Sequence, residues 1–180
     1  MGVIVLVIVV VFLWAVGIYN KLVRLSNMKD EAWSGVDVQL KRRFDLVPNL
    51  VETVKGYAKH EEGTLQKVVE ARAAIGQAKT DGQRIEAENY LTSTLRSLFA
   101  VVEAYPELKA NHNFTELQRE LSSLENDIQM ARRYYNGTVR EFNNAIQTFP
   151  AVLISRQLGY SEAAFFSTDE ESREPVKVRF

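Results

Sequence analysis

Two histidines and three glutamates are the side chains here that could carry acid–base or metal chemistry, and their spacing limits what they can do. A zinc-protease helix needs two histidines four residues apart with a glutamate between them, so that both imidazoles face one ion and the carboxylate activates water. His60-Glu61 is followed by Thr64 where the second histidine belongs. A di-iron bundle places a glutamate three residues before each histidine, and Tyr57 and Lys109 occupy those positions before His60 and His112. His60 is therefore read as a polar residue near a helix end. Glu70, Glu103 and Glu125 fall on three predicted helices and could converge as acid and base. Carboxylates on amphipathic helices more often sit on solvated flanks or pair with arginines such as Arg72 and Arg132, and that reading is favoured.

Other chemistries find less support. No Gly-x-Ser-x-Gly elbow is present, and the stretch from Gly76 to Gly82 lacks the Lys-Ser or Lys-Thr pair that follows a phosphate-cradling loop. The absence of cysteine removes disulfides, thiolate zinc sites, catalytic thiols and a lipid-modified cysteine anchor. The sequence thus assigns no catalytic, cofactor-binding or metal-ligating residue and no cofactor, and the chain is expected not to be an enzyme. Its 22 Lys plus Arg balance 23 Asp plus Glu for a formal net charge of -1, so nucleic acid is not an expected partner.

Lys41-Arg42-Arg43 is the sharpest basic cluster. It follows Lys21 by about 20 residues, roughly 30 Å along a continuous helix and several Debye lengths from a bilayer. An upright helix excludes lipid contact there and a flat one permits it, and a solvated or internally paired face is the favoured reading. Asn113-Phe114-Thr115 and Asn136-Gly137-Thr138 match the glycan acceptor pattern, but capping and packing explain them better.

These residues are carried by a predominantly helical chain. From Val3 to Tyr19 every residue is apolar, aromatic or small, and Leu22, Val23 and Leu25 extend the run to about the 20 residues a spanning helix needs. A cleaved secretory signal is the competing reading, since Ala15-Val16-Gly17 offers a small-x-small site. A retained anchor is favoured, because no Lys or Arg precedes the apolar core and the helical pattern runs on through Met28 and Ala32. Lys21, Arg24 and Lys29 follow the segment, so the positive-inside bias predicts the N-terminus outside and the domain in the cytoplasm. Leu6 stands where a myristoylation signal wants Ser or Thr, and Gly17 lacks the second glycine of a close-approach dimer motif.

Beyond the anchor, the helical period continues from Ala32 to Ala58, with a kink or a break expected at Pro48. A shorter helix is predicted from Thr64 to about Lys79, and a third from the Thr80-Asp81-Gly82 turn to about Tyr105, ended or bent by Pro106. The longest seam comprises Phe114, Leu117, Leu121, Leu124, Ile128, Ala131, Tyr135, Thr138, Phe142, Ala145 and Phe149 on one helix of roughly 50 Å. Asn113 is the expected cap, with Glu116 as its capping-box partner, and Pro150 the terminator. Ala151 to Leu158 predicts two turns closed by Gly159, and Pro175 to Phe180 alternates with a strand period. The expected fold is all-α: a single N-terminal transmembrane helix over 1–25, an antiparallel bundle of three to four long helices over 26–160, and a tail over 161–180.

Several runs, in order along the chain, resemble the LemA family of bacterial membrane proteins. They are Tyr19-Asn20, Ala32-Trp33, Asp37 to Arg43, Asp45 to Leu50, Glu70-Ala-Arg72, Glu103 to Pro106, Leu108 to Asn111, Ala131 to Asn136, Phe149-Pro150 and Pro175 to Phe180. The resemblance implies one membrane helix followed by an antiparallel bundle, in the bacterial cytoplasmic membrane. It implies no established enzymatic activity, and a genomic neighbourhood that often includes HtpX-type membrane zinc proteases or TPM-domain proteins. A buried hydrogen-bonded network is expected among some of Asp45, Asn49, Arg72, Glu103, Tyr105, Arg132, Tyr135 and Asn136, polar groups at or near predicted helix interfaces.

Together these readings describe a membrane-anchored scaffold or adaptor, self-associating into a homo-oligomer, with regulation or substrate presentation for an HtpX-type protease as the alternative. The terminal strand period could dock on a sheet edge, but a disordered end is favoured.

Overall fold

The computed structural model describes residues 1–58 and 60–166. The described residues are helical and contain no strand, in the order α1 (Gly2–Lys55), α2 (Glu62–Gln77), α3 (Asp81–Val102), α4 (Pro106–Lys109), α5 (His112–Gln147) and α6 (Ala151–Gln157). This is the expected all-α bundle with one long apolar N-terminal helix. The strand-like pattern of Pro175 to Phe180 lies outside the described residues. Contacts divide the chain into two units, one made of residues 1–37 with 130–165 and the other built on residues 38–129.

In the first unit, Leu22, Leu25, Phe142 and Ile146 form a core against which Ile18, Ala145, Ala151, Ile154 and Tyr160 pack. Trp33 and Tyr135 approach with ring centroids 5.2 Å apart, and Lys29 Nζ lies 5.3 Å from the Phe142 centroid. The order of these pairs makes α1 and α5 antiparallel here: α5 advances from Tyr135 to Ile146 as its partners on α1 step back from Trp33 to Leu22. Ser155 Oγ donates to the Ile146 carbonyl over 2.8 Å, satisfying one of the last four carbonyls of α5 and holding α6 against it. Gly159, at φ 72°, supplies the left-handed residue expected just past α6.

The second unit buries Val47, Leu50 and Val54 of α1 with Leu65, Val68 and Ala71 of α2, Leu91, Leu95, Leu98 and Val102 of α3, and Phe114 and Leu121 of α5. The cap of α3 is Thr80, whose Oγ1 accepts from the Gln83 amide over 3.2 Å. Pro106 ends the preceding segment and opens the single turn of α4, where its missing donor costs nothing.

Three sequence expectations change, and one of two alternatives is removed. The helix predicted from Thr64 begins two residues earlier, at Glu62. Of the kink or break expected at Pro48, the break does not occur: α1 runs through it, with Val47 and Leu50 on either side wholly buried and Arg72 replacing the lost donor. Asn111, not Asn113, caps α5: its Oδ1 accepts from the Phe114 amide over 3.0 Å, while Asn113 faces solvent. Phe149 does not close the long seam. The helix ends at Gln147, so the period no longer governs Phe149, which is 79% exposed, and Ile146 takes the last buried position.

Candidate functional site

Arg43 and Glu88 are the charged residues buried to 1% exposure or less among the described residues. The burial of Arg43 follows from register. The inward positions of α1 recur at alternating spacings of three and four through Val36, Leu40, Arg43, Val47, Leu50 and Val54, all buried. An arginine on such a stripe must find partners inside, since leaving a guanidinium unpaired in the interior is strongly destabilising.

Three residues from two other helices supply them. Arg43 Nη2 donates to Glu88 Oε2 over 2.7 Å and to the Glu88 carbonyl over 3.1 Å. Its Nη1 donates to Thr92 Oγ1 over 2.7 Å and to Glu125 Oε2 over 2.9 Å. Thr92 in turn donates to the Glu88 carbonyl over 3.1 Å, the usual back-bond of a threonine within a helix. The Glu88 side chain is 1% exposed and that of Glu125 33%, so the clamp is dry on the α3 side and reaches solvent on the α5 side. Beside it lies a cleft of about 310 Å³, lined by Arg43, Thr92, Arg96 and Glu125 with Leu95 and Phe99.

Chemically this is an ion-pair clamp. Arginine keeps its proton, so it offers charge and fixed donors rather than acid–base exchange, and both carboxylates direct an oxygen at it. Three helices are tied at one level by bonds that cannot be remade one turn away. That is the use of a buried ion pair best supported by physics: it fixes register, even where apolar side chains would give equal stability.

The remaining candidates separate. His60 is exposed in the turn after α1, and His112, 90% exposed, opens α5 with Nδ1 3.9 Å from Glu116. Glu70 accepts from Gln66 over 2.8 Å, and Glu103 pairs with Lys109 over 2.6 Å at the surface. Glu70, Glu103 and Glu125 therefore serve three different partners and do not converge as acid and base. Lys41-Arg42-Arg43 is not one patch: Lys41 pairs with Asp45 on the exposed side, Arg42 faces solvent and Arg43 turns inward. Among the described residues no three His, Asp or Glu side chains gather as metal ligands.

The residues among which a buried network was expected differ in their placement. Asp45, Asn49 and Glu103 are exposed. Arg72 Nε donates to the Phe44 carbonyl over 3.1 Å and stacks on the Phe44 ring at 3.9 Å. Tyr135 donates to the Ala164 carbonyl over 3.1 Å, and Asn143, absent from the expected set, bonds Ala163 twice, donating to its carbonyl over 3.0 Å and accepting from its amide over 2.9 Å. The Tyr105 hydroxyl donates to Glu61 over 2.9 Å. That hydrogen bond, then burial and the carboxylate charge, push the phenol above its ordinary 10.0.

The LemA family model matches residues 32–180. The chain is 28% identical over 162 residues to Protein LemA of Metamycoplasma hominis, covering 89% of this chain and 74% of that protein. It is 22% identical over a 184-residue alignment to the magnetosome protein MamQ of Magnetospirillum gryphiswaldense, covering 88% of this chain and 68% of the relative. The magnetosome protein MamQ 1 of Paramagnetospirillum magneticum matches to the same extent.

Proposed function

Because this chain belongs to the LemA family, we propose that it is a membrane-anchored helical scaffold or adaptor that self-associates and performs no catalysis. The observation that carries this reading is the N-terminal part of α1: from Val3 to Trp14 every residue is at least 47% exposed, and the helix is long and apolar enough to cross a membrane. A helix apolar on all faces is stable only when lipid or protein surrounds it. The same helix continues without interruption into the bundle, so the anchor and the folded domain are one element.

Lys21, Arg24 and Lys29 follow the span closely, which favours the N-terminus outside and the helical domain in the cytoplasm of a bacterium. The engagement of Glu88 and Glu125 with Arg43 supports a structural role for the deepest charges. Self-association is supported by Met130 and Tyr134, large side chains of α5 that are 54% and 60% exposed.

Crosslinking in native membranes followed by mass spectrometry tests the reading. Peptides linking two copies through α5 are expected. Crosslinks confined to one chain, with no second copy and no other protein, would remove the scaffold. Links to a membrane protease or a TPM-domain protein without self-links would transfer the reading to protease regulation.

A further inference from the structure

We propose that the corner between α5 and α6 is a second membrane contact, with Phe149 and Leu153 seated at the headgroup and acyl boundary beside the anchor. The inference rests on the anchoring of α1 proposed above and adds to it a lipid-facing surface on the folded domain.

Register places the corner at that depth. Within the unit of residues 1–37 and 130–165, Trp33 meets Tyr135, Lys29 lies over Phe142, and Leu22 shares a core with Ile146. Each step forward on α5 is a step back on α1 toward the apolar run. The same stepping brings Gln147, the last residue of α5, to the level of Lys21, two residues past the end of that run at Tyr19, and Phe149 follows in the turn. The core agrees: Ala151 and Ile154 of α6 pack against the same Leu22, Leu25, Phe142 and Ile146 cluster as Ile18, a residue of the apolar run itself.

Exposure then shows which face is left. Ile154 and Ser155 turn inward, whereas Phe149 is 79% and Leu153 58% exposed, four residues apart. Two large apolar side chains held outward, one in the turn before a short helix and one on it, at the level where a spanning segment leaves the bilayer, are continuous with the lipid-facing surface of that segment.

Charge selects lipid over a second copy. Lys21, Arg24 and Arg156 are exposed at this end. No carboxylate occurs from Gly2 to Lys29 or from Phe142 to Tyr160. A uniformly basic rim is attracted to anionic headgroups, and it would repel the identical rim of another copy.

The absence of cysteine permits a direct test. The full chain is reconstituted into vesicles of phosphatidylcholine and phosphatidylglycerol, with the environment-sensitive fluorophore NBD on a single cysteine in the variants Phe149→Cys, Leu153→Cys or Asn113→Cys. Asn113, exposed at the start of α5, is the solvent control. Positions 149 and 153 are expected to emit at shorter wavelength than 113, to be quenched several-fold more strongly by spin-labelled lipid, and to be protected from aqueous iodide. Iodide quenching equal to that at 113, in protein that stays with the vesicles through a carbonate wash, would overturn the corner contact and leave the anchor intact. Release by carbonate would overturn both. A blue shift that is insensitive to spin-labelled lipid and vanishes when protein is diluted in lipid would assign the surface to a second copy and overturn the proposal.

Discussion

Arg72 occupies the place of a hydrogen that Pro48 does not have. In an uninterrupted α-helix the amide at position 48 bonds the carbonyl of Phe44, and a proline there leaves that oxygen without its donor. Arg72 Nε, arriving from α2, donates to the Phe44 carbonyl over 3.1 Å and lays its guanidinium over the Phe44 ring. The helix can carry a proline in its interior because a neighbouring helix completes its ladder.

Replacing Arg72 by Met should therefore destabilise the protein by about 1 to 3 kcal/mol, the cost of leaving a partly buried carbonyl unsatisfied together with the lost ring contact. Pro48→Ala restores the amide within α1, so the cost of Arg72→Met should fall in that background. A double-mutant cycle by urea unfolding of the full chain in detergent measures the coupling. Equal costs in both backgrounds would separate Arg72 from the proline.

Removing one partner of the dry ion pair should be far more damaging. Glu88→Ala leaves Arg43 buried with Glu125, Thr92 and the carbonyl of residue 88, and breaking such a pair costs about 3 to 5 kcal/mol. Replacing both members by apolar side chains, Arg43→Met with Glu88→Leu, should recover most of that loss, because no charge then remains to be desolvated. If the double variant is as stable as the parent but its crosslinking pattern along α1, α3 and α5 is broadened, register is what the clamp provides.

The helices and their apolar faces were legible because periodicity and burial share one cause. Phe114 to Phe142 form a buried or half-buried stripe as the spacing predicts. The clamp was less legible, since polar residues at seam positions look like interruptions. Arg43 stands three after Leu40 and four before Val47, and Glu88 three before Leu91, so each sits on the stripe its neighbours define. Stripes extended through those charges pair them as oppositely charged inward residues. Asn143 gave no such signal, because its partners are backbone atoms of an irregular segment. Nor could spacing show that the helix stops before Phe149.

Tyr105 carries a pH dependence whose direction is fixed by its raised phenol. The folded state holds the proton more tightly than the unfolded chain, whose phenol titrates near 10.0. Its contribution to stability is accordingly whole below that pH and is lost as the pH rises through the folded value. Urea unfolding from about pH 8 to pH 11 should show the parent losing stability more steeply at the alkaline end than Tyr105→Phe, which has no phenol to ionise. Parallel curves would show that the Glu61 hydrogen bond does not distinguish the two states.

Asn143 fixes the path of the chain after α6. Its carboxamide bonds both the carbonyl and the amide of Ala163, a two-point match that neither Asp nor Leu can reproduce, and the residue is only 6% exposed. With Asn143→Leu the two Ala163 backbone groups must turn to water, and Tyr135 to Ala164 is left as the neighbouring tie. The expected result is a loss of about 1 to 3 kcal/mol in stability. A faster amide exchange should accompany it, concentrated at Ala163 and its neighbours, with the α3 amides of the other unit unchanged. Hydrogen–deuterium exchange with peptide mass spectrometry reads both regions at once: acceleration spread equally over α3 would mean that the variant loosens the whole fold, and no acceleration at Ala163 would mean that Asn143 does not hold this segment.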